Sequence, residues 1–476
     1  MNVADRMSAA IGRPVARLTP RMVEDNALGV AVVGVGAVLL LMGSMAFFVN
    51  PMIGGAALGL PVAPLFLLYP AHAMLVLIGV MPFDNVAGLL PDKTLSLTRL
   101  LGLAVIGGWA VWVLVNRVRV RLTMPGMLLG AYVGFALMSY FWTQNPVAAS
   151  SQLQTLLQLF LLYVMSANLT THLPTLERTA NVLILSTALL GMLVIWQLPG
   201  GGGHGDRGTF TYGDQSFNPN YLAAALVLPA VLAAALGRTR GQFGWWRLAA
   251  LLPIGAGILA SGSRGGIVGF AAGVAFLVVA RPQLGVRALG GLLVLATAAP
   301  LIMPGVMLDH LIARFSTAGS DRLSGRLDIW KVAFAMIEDH PVRGTGFAGF
   351  ESAFYDYMST SGIDPNFALL HFRGNRASHN VYLSTLAELG VFGFALLLAA
   401  FAAHGWQTFR TWRLYHRYGD PRVAGIALGL CCTFVSVLVF GNTIDLMTRK
   451  EPWVVLGMMQ GLILATEARG QGALRR

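Results

Sequence analysis

MLDHLIARFSTAGSDRLSGRLDIWKVAFAMIEDHPVRGTGFAGFESAFYDYMSTSGIDPNFALLHFRGNRASH, residues 307–379, opens without a break into NVYLSTLAELGVFGFALLLAAF, residues 380–401. A polar segment of about 70 residues thus separates long apolar runs, while the other connections are mostly short. The runs recur at about 17–25 residues, the length of a helix that crosses a hydrocarbon core roughly 30 Å thick. A membrane barrel would instead alternate apolar and polar residues in segments of about ten. Composition agrees: 56% of residues are hydrophobic and 11% charged, with a mean hydropathy of +0.67. Soluble domains carry about 25% charged residues. The expected fold is an all-α polytopic membrane bundle of about 12–14 transmembrane helices with one large outer loop.

Working outward from that loop, the spans fall at 28–49, 52–69, 71–88, 96–115, 123–142, 148–168, 176–197, 220–237, 246–262, 264–280, 287–306, 380–406, 422–441 and 452–468. The stretch 52–88 is open to a second reading, one span plus a re-entrant piece. Basic residues favour two spans there, because Lys and Arg concentrate in cytoplasmic loops. With two, the clusters at 6–21, 116–121, 238–247, 281–287, 410–422 and 469–476, together with Arg178, share one side. The organisation that follows is a basic cytoplasmic tail at 1–27, a first set of spans within 28–306, a periplasmic loop at 307–378, a second set within 379–468, and a cytoplasmic tail at 469–476. The first run follows about 27 residues with Arg6, Arg13, Arg17 and Arg21 and lacks a small-residue cleavage site, so it reads as a span and not a cleaved signal. The net charge of +12 sits mostly in the inner loops, where it meets anionic lipid headgroups. No basic soluble face exists, so nucleic acid is not an expected partner.

The outer loops carry positive charge that topology does not require. Gly-rich residues 199–219 hold His204, Asp206 and Arg207, the turn SGSRGG at 261–266 holds Arg264, and the long loop adds Arg314, Arg322, Arg326, Lys331, Arg343, Arg373 and Arg376. A polyanion at the outer leaflet would explain them. Arg264 has two readings: a planar fork for phosphate oxygens, which close-lying glycines allow to approach, or an arginine that snorkels at the interface. Arg207 is either a phosphate contact or a stray charge of the kind glycine-rich loops often carry. His379 precedes Asn380, Tyr382 and Glu388, and either takes a proton from a hydroxyl or belongs to a capping cluster, Ser378-His379-Asn380. Cys431 and Cys432 are adjacent in an apolar run and offer no loop disulfide.

Four blocks now stand in order: FNPNYLAA at 217–224, SRGG at 263–266, GRLDIWKVAFAMIEDHPVRGTGFAGF at 325–350 and HNVYLSTLAELGVFG at 379–393. The chain resembles the O-antigen ligase and polymerase superfamily of bacterial envelope glycosyltransferases. The resemblance implies a helical bundle whose large loop forms short helices over a cavity at the periplasmic face of the inner membrane. It also implies transfer of a glycan from undecaprenyl diphosphate to an acceptor hydroxyl, by inversion at the anomeric carbon. By the same resemblance Arg207 and Arg264 hold the diphosphate, His379 is the base, and Arg326 is either a further anion contact or a brace of the loop.

A lipid diphosphate is a competent leaving group, so positioning, neutralisation and activation of the incoming oxygen suffice. No carboxylates show metal-ligand spacing, and neither a metal nor another cofactor is expected; Asp321, Asp328, Glu338 and Asp339 read as salt bridges and caps. Trp245, Trp246, Trp406 and Trp412 read as interfacial belts, and Trp330 with the aromatics of 347–357 as the loop's own core in preference to a sugar platform. Three functions stay open: a ligase acting on an acceptor such as lipid A core, a polymerase acting on a growing polysaccharide, and a flippase. The last would favour internal repeats and charges at mid-membrane, and the sequence displays neither.

Overall fold

The computed structural model describes residues 66–86, 97–198, 203–204, 207–212, 215–216, 218–237, 244–283, 325–363, 376–418 and 420–474, with isolated positions between 286 and 312. The expected spans 28–49 and 287–306, most of 52–69, and loop residues Arg314, Arg322, Arg373, His310 and His371 lie outside the described residues. The chain divides into two compact units, Met1–Arg121 and Leu122–Arg476. Among the described residues seven helices are long and apolar enough to cross a membrane, and the chain is a polytopic helical membrane protein.

In the first unit, α1 (Pro70–Val80) begins on a proline, whose missing N–H is not needed at that position, and runs into a 3₁₀ turn, Met81–Val86. Its 11 residues rise about 17 Å at 1.5 Å each, less than a bilayer core. α2 (Leu97–Asn116) packs on it, with Gly102 against Leu77 and Gly108 against the Phe66 backbone.

The second unit holds α3 (Met124–Met138), α4 (Pro146–Leu169), α5 (Leu173–Gln197), α6 (Pro219–Leu236), α7 (Trp245–Ala260) and α8 (Arg264–Ala280). Two short antiparallel hairpins precede α6: β1 (Gly203–His204) with β2 (Arg207–Gly208), and β3 (Thr211–Tyr212) with β4 (Gln215–Ser216). Beyond lie α9 (Arg326–Asp339), α10 (Gly349–Met358), α11 (Val381–Tyr418), α12 (Pro421–Phe440) and α13 (Lys450–Leu474). α6 is the central post: nearly all its residues are buried, and α5, α7, α8 and α12 pack on it. Small residues let the posts approach. Gly273 of α8 leaves room for Ser436 and the Cys432 carbonyl of α12, and Gly257 of α7 lies over Leu226 of α6.

α9 and α10 form the expected short helices of the long loop. Ile329, Val332, Ala333 and Met336 of α9 close over Phe350, Ala353 and Phe354 of α10, with Ala387 of α11 beneath. Of the loop aromatics read as core, Phe350 and Phe354 are buried there, whereas Tyr355 is exposed. α11 is the departure from expectation. It runs 38 residues, to Tyr418 and not to 406, and is broken at Gly390 (φ 61°, ψ −167°). The break frees backbone groups, and the 341–346 loop satisfies them. Thr345 N donates to Ala387 O (3.0 Å), Gly346 N to Glu388 O (2.9 Å), and Val391 N to Pro341 O (2.9 Å). Such a break is tolerated where the freed groups are buried in protein and paired. A side chain at Gly390 would run into the Val342 backbone.

Candidate functional site

Four helices of the second unit begin at one end of the bundle, and their caps bring the sequence blocks together. Asn218 caps α6, its Oδ1 accepting from Asn220 N (2.9 Å), with Pro219 at the first turn. Ser263 caps α8 through Gly266 N (3.3 Å), which places Arg264 at the first helical position, half-buried. Asn380 caps α11, its Oδ1 accepting from Tyr382 N (3.0 Å) and Leu383 N (3.2 Å). Gly325, at φ 78°, starts α9, and Arg326 is its first residue.

These starts touch. Gly266 leaves space for Ala223 of α6, and Gly265 leaves space for Thr443 in the α12–α13 loop. Val381 N donates to Gly441 O of the same loop (2.8 Å), and Trp330 Nε1 of α9 donates to Ser378 O (3.1 Å). Helix N-termini carry a partial positive charge and unpaired N–H groups, so this end of the bundle attracts anions even before its side chains are counted.

His379 stands between Ser378 and the Asn380 cap with φ at 52°, a left-handed conformation uncommon outside glycine. Burial first, then the charges of Arg326 and Arg376, push its pKa down to about 4. The ring is therefore neutral at pH 7 and able to accept a proton. Behind it runs a hydroxyl chain. Ser378 Oγ meets Asn380 O (2.9 Å) and Ser384 Oγ (2.5 Å), and Ser384 Oγ meets Asp445 Oδ2 (3.1 Å). Ser378 Oγ donates to Asn380 O and Ser384 Oγ donates to Asp445 Oδ2, each serine spending its one hydrogen. Burial raises the Asp445 carboxyl to about 6, against the lowering pull of the Ser384 hydrogen bond and with a smaller push from Glu351.

Of the residues expected from sequence, Arg326 and His379 are brought together, and Arg264 lies at the same end through the α12–α13 loop that joins the starts of α8 and α11. The Arg207 backbone lies in β2, whose next residue, Gly208, packs on Ala260 at the end of α7; its side chain lies outside the described residues. Asp328 pairs with Lys331 (2.8 Å), as read. His340 caps the far end of α9, away from Arg326. Among the described residues no three His, Cys, Asp or Glu side chains group as metal ligands.

Sequence reasoning passed over three residues. Arg376 was noted only as one of several loop charges. Asp445 and Arg449, in the α12–α13 loop, were not singled out, and the Arg449 guanidinium sits 3.8 Å above the Tyr221 ring. The available signal was charge in a connection between two apolar runs, the same kind of signal that flagged Arg264. Residues 248–398, from α7 into α11, match a family model described as O-antigen ligase. That segment contains Arg264, Arg326, Arg376 and His379. No curated protein matches the chain.

Proposed function

We propose, from the premise that the chain belongs to the O-antigen ligase and polymerase superfamily, that it is a metal-independent glycosyltransferase of the bacterial inner membrane working at the periplasmic face. Its donor is a glycan on undecaprenyl diphosphate, and its acceptor is a hydroxyl such as one on lipid A core. The observation that carries this reading is a neutral histidine flanked by arginines at a convergence of helix N-termini.

The steps follow from those groups. Arg264, Arg207 and Arg326 neutralise the diphosphate oxygens, so that the anomeric C–O bond breaks toward a stabilised leaving group. His379 takes the acceptor proton as the acceptor oxygen bonds to the anomeric carbon from the opposite face. Undecaprenyl diphosphate departs with the electron pair of the broken bond. A bound diphosphate also offsets the Arg326 and Arg376 charges that depress His379, so donor binding strengthens the base. The donor's own bond supplies the driving force, which suits a compartment without nucleotides.

Reconstitution in proteoliposomes with purified undecaprenyl-diphosphate oligosaccharide tests the reading. Transfer onto added lipid A core supports a ligase. A ladder of longer lipid-linked products without that acceptor supports a polymerase instead, and absence of both overturns the transferase reading. Reporter fusions after Asp339 and Arg476 test the orientation: the first must report the periplasm and the second the cytoplasm.

A further inference from the structure

The α12–α13 loop is pinned to the starts of α8 and α11. Thr443 lies against Gly265, and Val381 N holds Gly441 O at 2.8 Å. The same loop places Arg449 over Tyr221 in the first turn of α6, and two residues further along that helix Ala223 touches Gly266. Tyr221 and Arg449 thus belong to the two elements that bracket the start of α8.

We infer that Arg449, seated on the face of Tyr221, is a second guanidinium fork for the diphosphate of the lipid-linked donor, beside Arg264. The inference rests on the reading above. A guanidinium stacked on a ring uses its flat face for that contact and keeps its in-plane N–H edge for oxygen acceptors. Stacking also fixes the side chain in advance, so less rotamer freedom is lost when an anion arrives. Asp445 of the same loop is hydrogen-bonded to Ser384 and not turned to Arg449. Arg264 projects from a helix start and Arg449 from a loop braced on two other helices. Two forks on separate supports suit a ligand with two phosphates.

The test is equilibrium binding of undecaprenyl diphosphate to the full-length protein in nanodiscs. Arg449→Ala should weaken binding about 10–100-fold, the loss of charged hydrogen bonds, and Arg449→Lys should fall between it and the parent. Tyr221→Phe keeps the ring face and should bind as the parent does. Tyr221→Ala should weaken binding, and the Tyr221→Ala/Arg449→Ala pair should be no worse than Arg449→Ala alone, because both changes remove one unit. Parent-like binding by Arg449→Ala, with Arg264→Ala strongly impaired, would reduce Arg449 to a brace of its loop and leave the donor reading intact. Parent-like binding by both would sink the donor reading itself. Should Arg449→Ala fail to insert, Arg449→Lys and Tyr221→Ala decide the matter on the same scale.

Discussion

His379 and His404 belong to one stretch of chain, the first just ahead of α11 and the second inside it, and their surroundings differ in kind. His404 is 0% exposed, as are Tyr163 of α4 and Gln460 of α13. Its Nδ1 lies 2.8 Å from Ala400 O and its Nε2 3.0 Å from Tyr163 Oη, so Nδ1–H donates to the carbonyl and Nε2 accepts from the phenol. Gln460 Oε1 extends the group, accepting from Thr123 Oγ1 (3.0 Å). Both ring nitrogens are spent on neutral neighbours, and three helices and the α3 cap are tied together. His379 instead sits outside any helix, in an uncommon backbone conformation, within reach of the charges of two arginines. The contrast teaches that a buried polar residue whose bonding capacity is filled by neutral partners is a fastener, whereas one surrounded by like-signed charge is poised for an ion that is not yet there.

The largest effect expected on either side is the loss of the base. His379→Ala should lower transfer about 10²–10⁴-fold while the protein inserts normally and still binds undecaprenyl diphosphate; near-parent turnover would erase the distinction between the two histidines. The acid limb is a companion test. A protonated His379 cannot act as base, so activity must fall as pH drops through its pKa, about 4 in the free enzyme. That limb should appear in kcat/KM, and the limb in kcat should lie at higher pH, because bound diphosphate offsets the arginines. Stability carries the same sign: the unfolded ring titrates near 6.5 and the folded one near 4, so this group's contribution is intact above 6.5 and declines as pH falls toward 4.

Next comes Arg264→Lys, which keeps the charge and loses the planar fork. A drop of about 10–100-fold in transfer is expected, read out as kcat/KM on the lipid-linked donor. Gly390 marks the boundary between the two regions. Gly390→Ala puts a side chain at positive φ against the Val342 backbone, a strain of order 1–3 kcal/mol. Hydrogen exchange should report it as loosened protection at 341–346 and 387–391, with the Tyr163–His404 region unchanged. The smallest effect belongs to the fastener. His404→Gln should cost roughly 0.6–1.7 kcal/mol, the range for hydrogen bonds between membrane helices, with kcat near the parent value. A strong loss of turnover with full stability would show that His404 does more than hold helices.

Legibility followed the range over which each feature is encoded. Helix starts were readable to within a few residues because caps are local: Ser263-Arg264-Gly265-Gly266 and Asn218-Pro219 announce α8 and α6 in four residues or fewer. Arg264 and His379 drew notice where a loop meets a span, and Arg326 through the resemblance of its block at 325–350. The end of α11 was misjudged because its last turns are polar. Yet Phe409, Trp412 and His416 keep helical spacing, and Trp412 stacks on His416 with Phe276 of α8 alongside. Arg449 and Asp445 stayed unread because their partners, Tyr221 and Ser384, are remote in sequence. Sequence spacing cannot report a contact made by the return of a later loop.

The seating of residues 341–346 in the break of α11 has a consequence for the order of events during synthesis. Chains are made from the N-terminus at about 5–20 residues per second, so the GTGF loop exists before the carbonyls of Ala387 and Glu388 that receive it. Until α11 arrives, α9 and α10 have a half-built core, because Ala387 supplies its floor. The long loop is therefore completed by the helix that follows it. A nascent chain stopped short of Ala387 would carry every arginine of the matched segment and still lack the carbonyls that seat the 341–346 loop.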